Sequence, residues 1–220
     1  MSFEFDIASD QIDGARDYQE DAFMVSLLGD NDAGHSCSLV VMADGMGGHA
    51  AGNVASNMVV ATFNKAFQSD FSDKNVPDSL SSALNRANQQ IHDSISETPA
   101  LRGMGCTMVS AYLEDNNLYW VSVGDSHLYL VRERELIKQN ADHSYGAYID
   151  MMKEQGMDIE EQPGMSRNML MSAMTGEEIS SIDCPDSGIK LKPGDRLIVA
   201  SDGLDTLGAG AIIQYSSWSS

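Results

Sequence analysis

Basic residues are scarce in this chain. Thirteen lysines and arginines stand against 33 aspartates and glutamates in 220 residues, a formal net charge of -20. Such a balance argues against nucleic acid or an anionic membrane surface as a partner. Cysteine is nearly absent as well: Cys37, Cys106 and Cys184 are scattered and show no metal or redox spacing. An odd, dispersed set fits a reducing cytoplasm, and the apolar settings of Cys37 and Cys106 read as small core residues. No apolar run is long enough to cross a bilayer, and Met1-Ser2-Phe3-Glu4-Phe5-Asp6 has neither the basic nor the long apolar stretch of a signal peptide. No glycine-flanked serine or cysteine with a base beside it offers itself as a nucleophile. What remains is an ordinary globular composition, 42% hydrophobic and 21% charged, in a chain long enough for one domain with a substantial core. The acid excess is compatible with metal binding, but its usual meaning is a solvated surface.

One acidic turn carries more information than the composition. The apolar run Cys37 to Ala43 reads as a buried strand, and it ends in Asp44-Gly45-Met46-Gly47-Gly48. Glycines at three of the four positions after Asp44 let the backbone fold closely around the carboxylate. Two readings fit: an Asp-Gly hairpin turn, or a carboxylate and bare carbonyls placed for a hard cation such as Mg or Mn. The pattern recurs. Leu197 to Gly203 is again an apolar run ending in Asp202-Gly203, Trp120 to Asp125 ends in Gly124-Asp125, and Glu20-Asp21 follows Gly14-Ala15-Arg16. Carboxylates gathered from separate strands repel one another unless cations neutralise them, so a shared metal site is the economical explanation.

The chain is organised in blocks of strand and helix. Phe3 to Ile7 and Ala22 to Leu28 read as early strands. Val54, Met58, Thr62 and Ala66, with Ala55, Val59 and Phe63, recur at helical spacing and predict a helix from about Ala51 to Phe67. Pro77 opens a second helical pattern through Leu80, Leu84, Ala87, Ile91 and Ile95. Strands then dominate: Met108 to Leu113, Leu118 to Val123, His127 to Val131 and Leu136 to Lys138. The methionine-rich stretch Tyr148 to Met171, broken by Gly156 and Pro163-Gly164, reads as a surface helix-loop element. Strands, two adjacent helices and strands again predict an α+β fold.

Four segments, in order, resemble the metal-dependent protein phosphatases, the type 2C serine/threonine phosphatase family, in its bacterial form. They are Gly14 to Ala22; Val41 to Gly52; Gly103 to Thr107 with Val123 to Ser126 and Asp142 to Ser144; and Leu191 to Leu197 with Ser201 to Leu204. The resemblance implies a β-sandwich of two antiparallel sheets flanked by helices, one domain over 1–220, with the segment at about 148–171 as a flap beside the site. It implies two Mn or Mg ions bridged by Asp44, with Gly45 lending its carbonyl to one and Asp202 ligating the other. Glu20 and Asp21 would hold the metals' water shell, and Asp125 a third, weaker ion. Arg16 would clamp phosphate, for which a planar guanidinium fork is suited. His49 would give a proton to the leaving alkoxide; in eukaryotic relatives that histidine stands just after Asp-Gly, where Met46 stands here. The implied reaction is hydrolysis of phosphoserine and phosphothreonine in proteins by a metal-activated water, opposing a serine/threonine kinase. One departure matters. The family's closing Asp-Asn pair and last strand have no counterpart after Asp205, so a C-terminally incomplete domain is expected. Two alternatives follow: a weak or inactive pseudophosphatase that serves as an interaction module, and a hydrolase of small phosphate esters.

Overall fold

The computed structural model describes residues 5–12, 19–28, 37–47 and 50–217. Its larger sheet is antiparallel, in the order β1 (Asp21–Leu27), β2 (Cys37–Met46), β4 (Met108–Glu114), β5 (Asn117–Val123) and β8 (Ile189–Lys190), with β3 (Gly105–Cys106) paired to the end of β2. A smaller antiparallel sheet has the order β7 (Glu135–Lys138), β6 (His127–Arg132), β9 (Arg196–Ala200). The helices are α1 (Ala50–Asp70), α2 (Val76–Glu97), α3 (Tyr145–Glu154) and α4 (Ala209–Ser216). The fold is therefore α+β, with two antiparallel sheets and helices against them.

Successive side chains of a strand point to opposite faces, and here both faces of the larger sheet are covered. Met108 and Tyr112 of β4 pack with Leu39, Val41 and Ala43 of β2 against α1 and α2. Val109, Ala111 and Leu113, one position out of phase, pack with Leu118 and Trp120 against Leu128 and Leu130 of the small sheet. A strand buried on both sides shows no alternation in sequence, which is why Leu39 to Ala43 is apolar throughout. The helices bury one stripe each. In α1 it is Ala55, Val59, Phe63 and Phe67, at fourfold spacing; in α2 it is Leu80, Leu84, Ala87 and Ile91. Each fully buried leucine contributes roughly 1.5–3 kcal/mol over an exposed one, so the two-helix layer anchors the sheet that carries the acids.

Local chemistry sets the ends. Asn75 caps α2 by accepting from the Asp78 amide at 3.3 Å, and Pro77 lies in its first turn, so the helix starts just before the proline. The β6–β7 hairpin turns through Glu133 and Arg134, both at positive φ (53° and 66°), a type I′ backbone made without glycine. One expected element is absent: of Phe3 to Ile7, the described residues Phe5 to Ile7 form no strand. Phe5 instead packs against the core between the sheets, which satisfies its hydrophobicity without a ladder. The helix expected within 148–171 begins earlier, at Tyr145, because Ser144 caps it by accepting from the Ala147 amide at 3.2 Å. Among the described residues no helix is long and apolar enough to cross a membrane.

Candidate metal centre

Asp44 is not a hairpin turn. Strand β2 runs on through Met46, and Asp44 lies within it, directly across from Asp21 on β1. On its other side β2 pairs with β4 as far as Met42 and with β3 from Gly45, and Thr107 sits between those two strands. The Thr107 amide donates to Asp44 O at 2.9 Å, and the Asp44 amide donates to Thr107 Oγ1 at 3.3 Å. A break of this kind in a ladder re-aims the side chain at that point.

The glycine after Asp44 is needed for contact rather than for turning. A Cβ on Gly45 would lie 2.6 Å from Glu20 O, and one on Gly52 would lie 2.7 Å from Glu20 Oε1 and 2.9 Å from Gly45 C. The start of α1, the end of β2 and the segment entering β1 are thus pressed together, backbone on backbone. Glu20 O accepts from Ser56 Oγ at 2.6 Å and from the Gly45 amide at 3.1 Å. Gln19 Oε1 accepts from the amides of Glu20 (2.9 Å) and Asp21 (3.0 Å), and Asn53 Nδ2 donates to Gln19 O at 2.8 Å. Helix α1 thus holds the segment entering β1, through Gln19 O and Glu20 O.

Asp125 occupies the turn between β5 and β6, after Gly124 at φ 101°. That turn is clamped twice. Thr107 Oγ1 and Ser126 Oγ are 2.6 Å apart, while His143 gives its amide to Gly124 O and takes the Gly124 amide on Nδ1, both at 3.0 Å. Asp202 opens the 3-10 turn Asp202–Thr206 that follows β9. Ser201 Oγ donates to Asp21 Oδ2 at 3.1 Å, joining the end of β9 to the start of β1. An open pocket beside this junction is lined by Asp125, His127, Asp142, Ser144, Asn168, Asp202 and Asp205.

The charges are poorly balanced. The Asp125 carboxyl is pushed up to about 6, first by burial and then by Asp202, with Asp142 adding to it. Among the described residues, Lys138 is the cation that acts against this, and its Nζ donates to Asp142 Oδ2 at 2.9 Å. Burial also lifts the Asp142 carboxyl, but hydrogen bonds from Ser144 and Lys138 outweigh it and hold the group below its ordinary value. Burial lowers both His127 and His143, so both imidazoles are neutral near neutral pH.

The acids singled out in the sequence fall into two adjoining groups. Glu20, Asp21, Asp44 and Gly45 meet where β1 and β2 adjoin α1, and Asp125 and Asp202 share the pocket. Ser201 and the Thr107–Ser126 pair join the groups. Among the described residues, no three His, Cys, Asp or Glu side chains stand close enough together to hold an ion as they are. Arg16 and His49 lie outside the described residues. Sequence reasoning missed His127, read only as a strand residue, and Lys138; nothing in their spacing marks them. Asp142 stood inside a recognised segment without a role, and Asp205 just beyond the last one.

Comparison with known proteins adds a family. The Protein phosphatase 2C family matches residues 5–145. The chain is 32% identical over 187 residues to protein phosphatase PhpP of Streptococcus pneumoniae, covering 84% of this chain and 73% of that protein. It is 32% identical over 169 residues to the serine/threonine protein phosphatase PstP of Mycobacterium tuberculosis, covering 76% of this chain and 31% of that protein. The crystal structure of the PstP catalytic domain in complex with two manganese ions superposes with a TM-score of 0.69 at 29% identity, covering 91% of this chain and 78% of that one.

Proposed function

This chain belongs to the protein phosphatase 2C family, and we propose that it hydrolyses phosphoserine and phosphothreonine in proteins at a Mn or Mg site formed by Asp44, Gly45, Asp202, Glu20, Asp21 and Asp125. The observation that carries this reading is the placing of Asp44 opposite Asp21, with Asp21 tied through Ser201 to the turn that presents Asp202. The donors are oxygens of carboxylates and one backbone carbonyl, which suits a hard divalent cation. The raised Asp125 carboxyl fits as well: burial first and then Asp202 disfavour its charge, and a cation would offset both. Bound there, two such ions would lower the pKa of a water towards neutral and offset charge on the phosphoryl group.

The chain's own residues do the rest. Asp44 lies in β2 between Asp21 on one side and Thr107 on the other. Arg16 takes two phosphate oxygens through its guanidinium fork, and His49 gives the leaving serine or threonine oxygen its proton. The three unpaired cysteines support a cytoplasmic setting, where a serine/threonine kinase would supply the substrate.

The test is to assay a phosphothreonine peptide and a small aryl phosphate over a Mn titration, with and without chelator. Turnover of the peptide that needs Mn or Mg and stops in chelator is expected. Full turnover after verified metal removal overturns the mechanism. Mn binding without turnover of either substrate makes the chain an interaction module, and a preference for the small ester moves the substrate class away from proteins.

A further inference from the structure

His127 is the first residue of β6, its side chain is 3% exposed, and it lies across from Ala200, the last residue of β9. Its ring stands between two charged groups. Nδ1 is 3.1 Å from Lys138 Nζ, and Nε2 is 2.9 Å from Asp205 Oδ1. An ammonium can only donate, so Nδ1 accepts and the imidazole proton resides on Nε2, which is buried beside the Asp205 carboxylate without an aligned hydrogen bond to it. Lys138 Nζ also donates to Asp142 Oδ2 at 2.9 Å, and Asp142 Oδ1 accepts the Ser144 amide at 2.9 Å. The chain Asp142–Lys138–His127–Asp205 therefore runs beside the pocket, with Asp142, His127 and Asp205 all on its wall.

Asp205 is 64% exposed and lies within the five-residue turn Asp202–Thr206. The start of that turn is fixed by β9 and by the Ser201–Asp21 bond. Among the described contacts, His127 is the side chain that lies against Asp205 farther along it. Asp125, Asp142 and Asp202 line the same pocket as this carboxylate.

We propose that His127 is a positioning residue: a small turn of the exposed Asp205 carboxylate, already 2.9 Å away, brings it into line with Nε2–H, which then holds Asp205 and, through it, the turn that presents Asp202 beside Asp125. The inference rests on the metal-dependent reading of the site. It adds a residue that touches neither ion nor substrate but sets how well the turn is arranged before an ion arrives. Residues that orient metal-bearing groups in this way typically change affinity by about 10- to 100-fold when removed.

The test uses the whole 220-residue chain. Mn affinity is measured by calorimetry for the parent, His127→Ala, Asp205→Ala, the double variant and His127→Gln, with melting in chelator as the check on folding. His127→Ala should weaken Mn binding by about tenfold. Asp205→Ala should do the same, and the double variant should be no worse than either single one, as two halves of one contact require. His127→Gln, whose amide can accept from Lys138 and donate to Asp205, should recover most of the loss. Unchanged affinity in His127→Ala overturns the proposal, and so do losses that simply add in the double variant. A second readout needs no metal. The imidazole 15N spectrum in chelator should show His127 protonated on Nε2, with that signal shifted in Asp205→Ala. A Nδ1–H tautomer, or a signal indifferent to Asp205, also overturns it. If the parent itself binds no Mn, the functional reading falls, and the imidazole spectrum still decides whether His127 holds Asp205.

Discussion

Strands β6 and β9 lie side by side, and their two ends are built on opposite principles. At one end Arg132, the last residue of β6, grips Asp195, the residue before β9: Nε to Oδ1 at 2.9 Å and Nη2 to Oδ2 at 2.5 Å. The Lys192 amide adds a third bond to Asp195 at 2.7 Å. The carboxylate is matched, and its hydrogen bonds to Arg132 draw it below its ordinary value. At the other end Asp125, Asp142, Asp202 and Asp205 crowd one pocket, and Asp125 is driven up. The same two strands thus hold an acid that stabilises the fold and acids that oppose it. A scaffold carboxylate is satisfied by its neighbours, whereas a binding carboxylate is left for a ligand to satisfy.

The sharpest way to break the contrast is at the crowded end. Asp44→Asn should lower turnover by at least about a hundredfold, since it removes charge from the proposed centre. In chelator the variant should melt no lower than the parent, because asparagine keeps the shape and relieves repulsion. If it binds Mn as tightly as the parent, Asp44 is only a strand residue and the contrast loses its functional end.

At the matched end the order reverses. Asp195→Ala should cost about 1–3 kcal/mol of stability in urea melts, since it strands Arg132 and the Lys192 amide, while Mn affinity stays as in the parent. A loss of Mn affinity as large as that of Asp44→Asn would mean that the two ends are not independent.

The smallest effect is in the pH dependence of the metal-free chain. Asp125 has its folded value, about 6, above the ordinary 3.8, so it favours the folded state below the ordinary value and loses that contribution as pH rises through about 6. Asp195 runs the other way: its contribution is present above the ordinary value and is lost as pH falls through its lowered one. In chelator, Asp125→Asn should flatten the decline between about pH 4 and 6, and Asp195→Ala should soften the loss at lower pH. Identical profiles in parent and Asp125→Asn would show that the crowding does not act on this carboxyl.

The sequence by itself determined the elements and the acids. The stripes of α1 and α2 and the apolar runs of β2, β4 and β5 are visible because each element buries a face against neighbours, and burial leaves a period or a run in the residues. The glycines and acids around Asp44, Asp125 and Asp202 are local patterns of the same kind. Only the tertiary structure decided that Asp44-Gly45 is strand rather than hairpin, because that depends on Asp21 and Cys106 arriving on either side. It alone showed that Phe5 packs without a strand, that Gly45 and Gly52 are small because a helix start and a strand end touch, and that His127 faces Asp205. Those facts are distances between residues far apart in the chain, and no spacing along a sequence encodes which distant side chain will fill a given place.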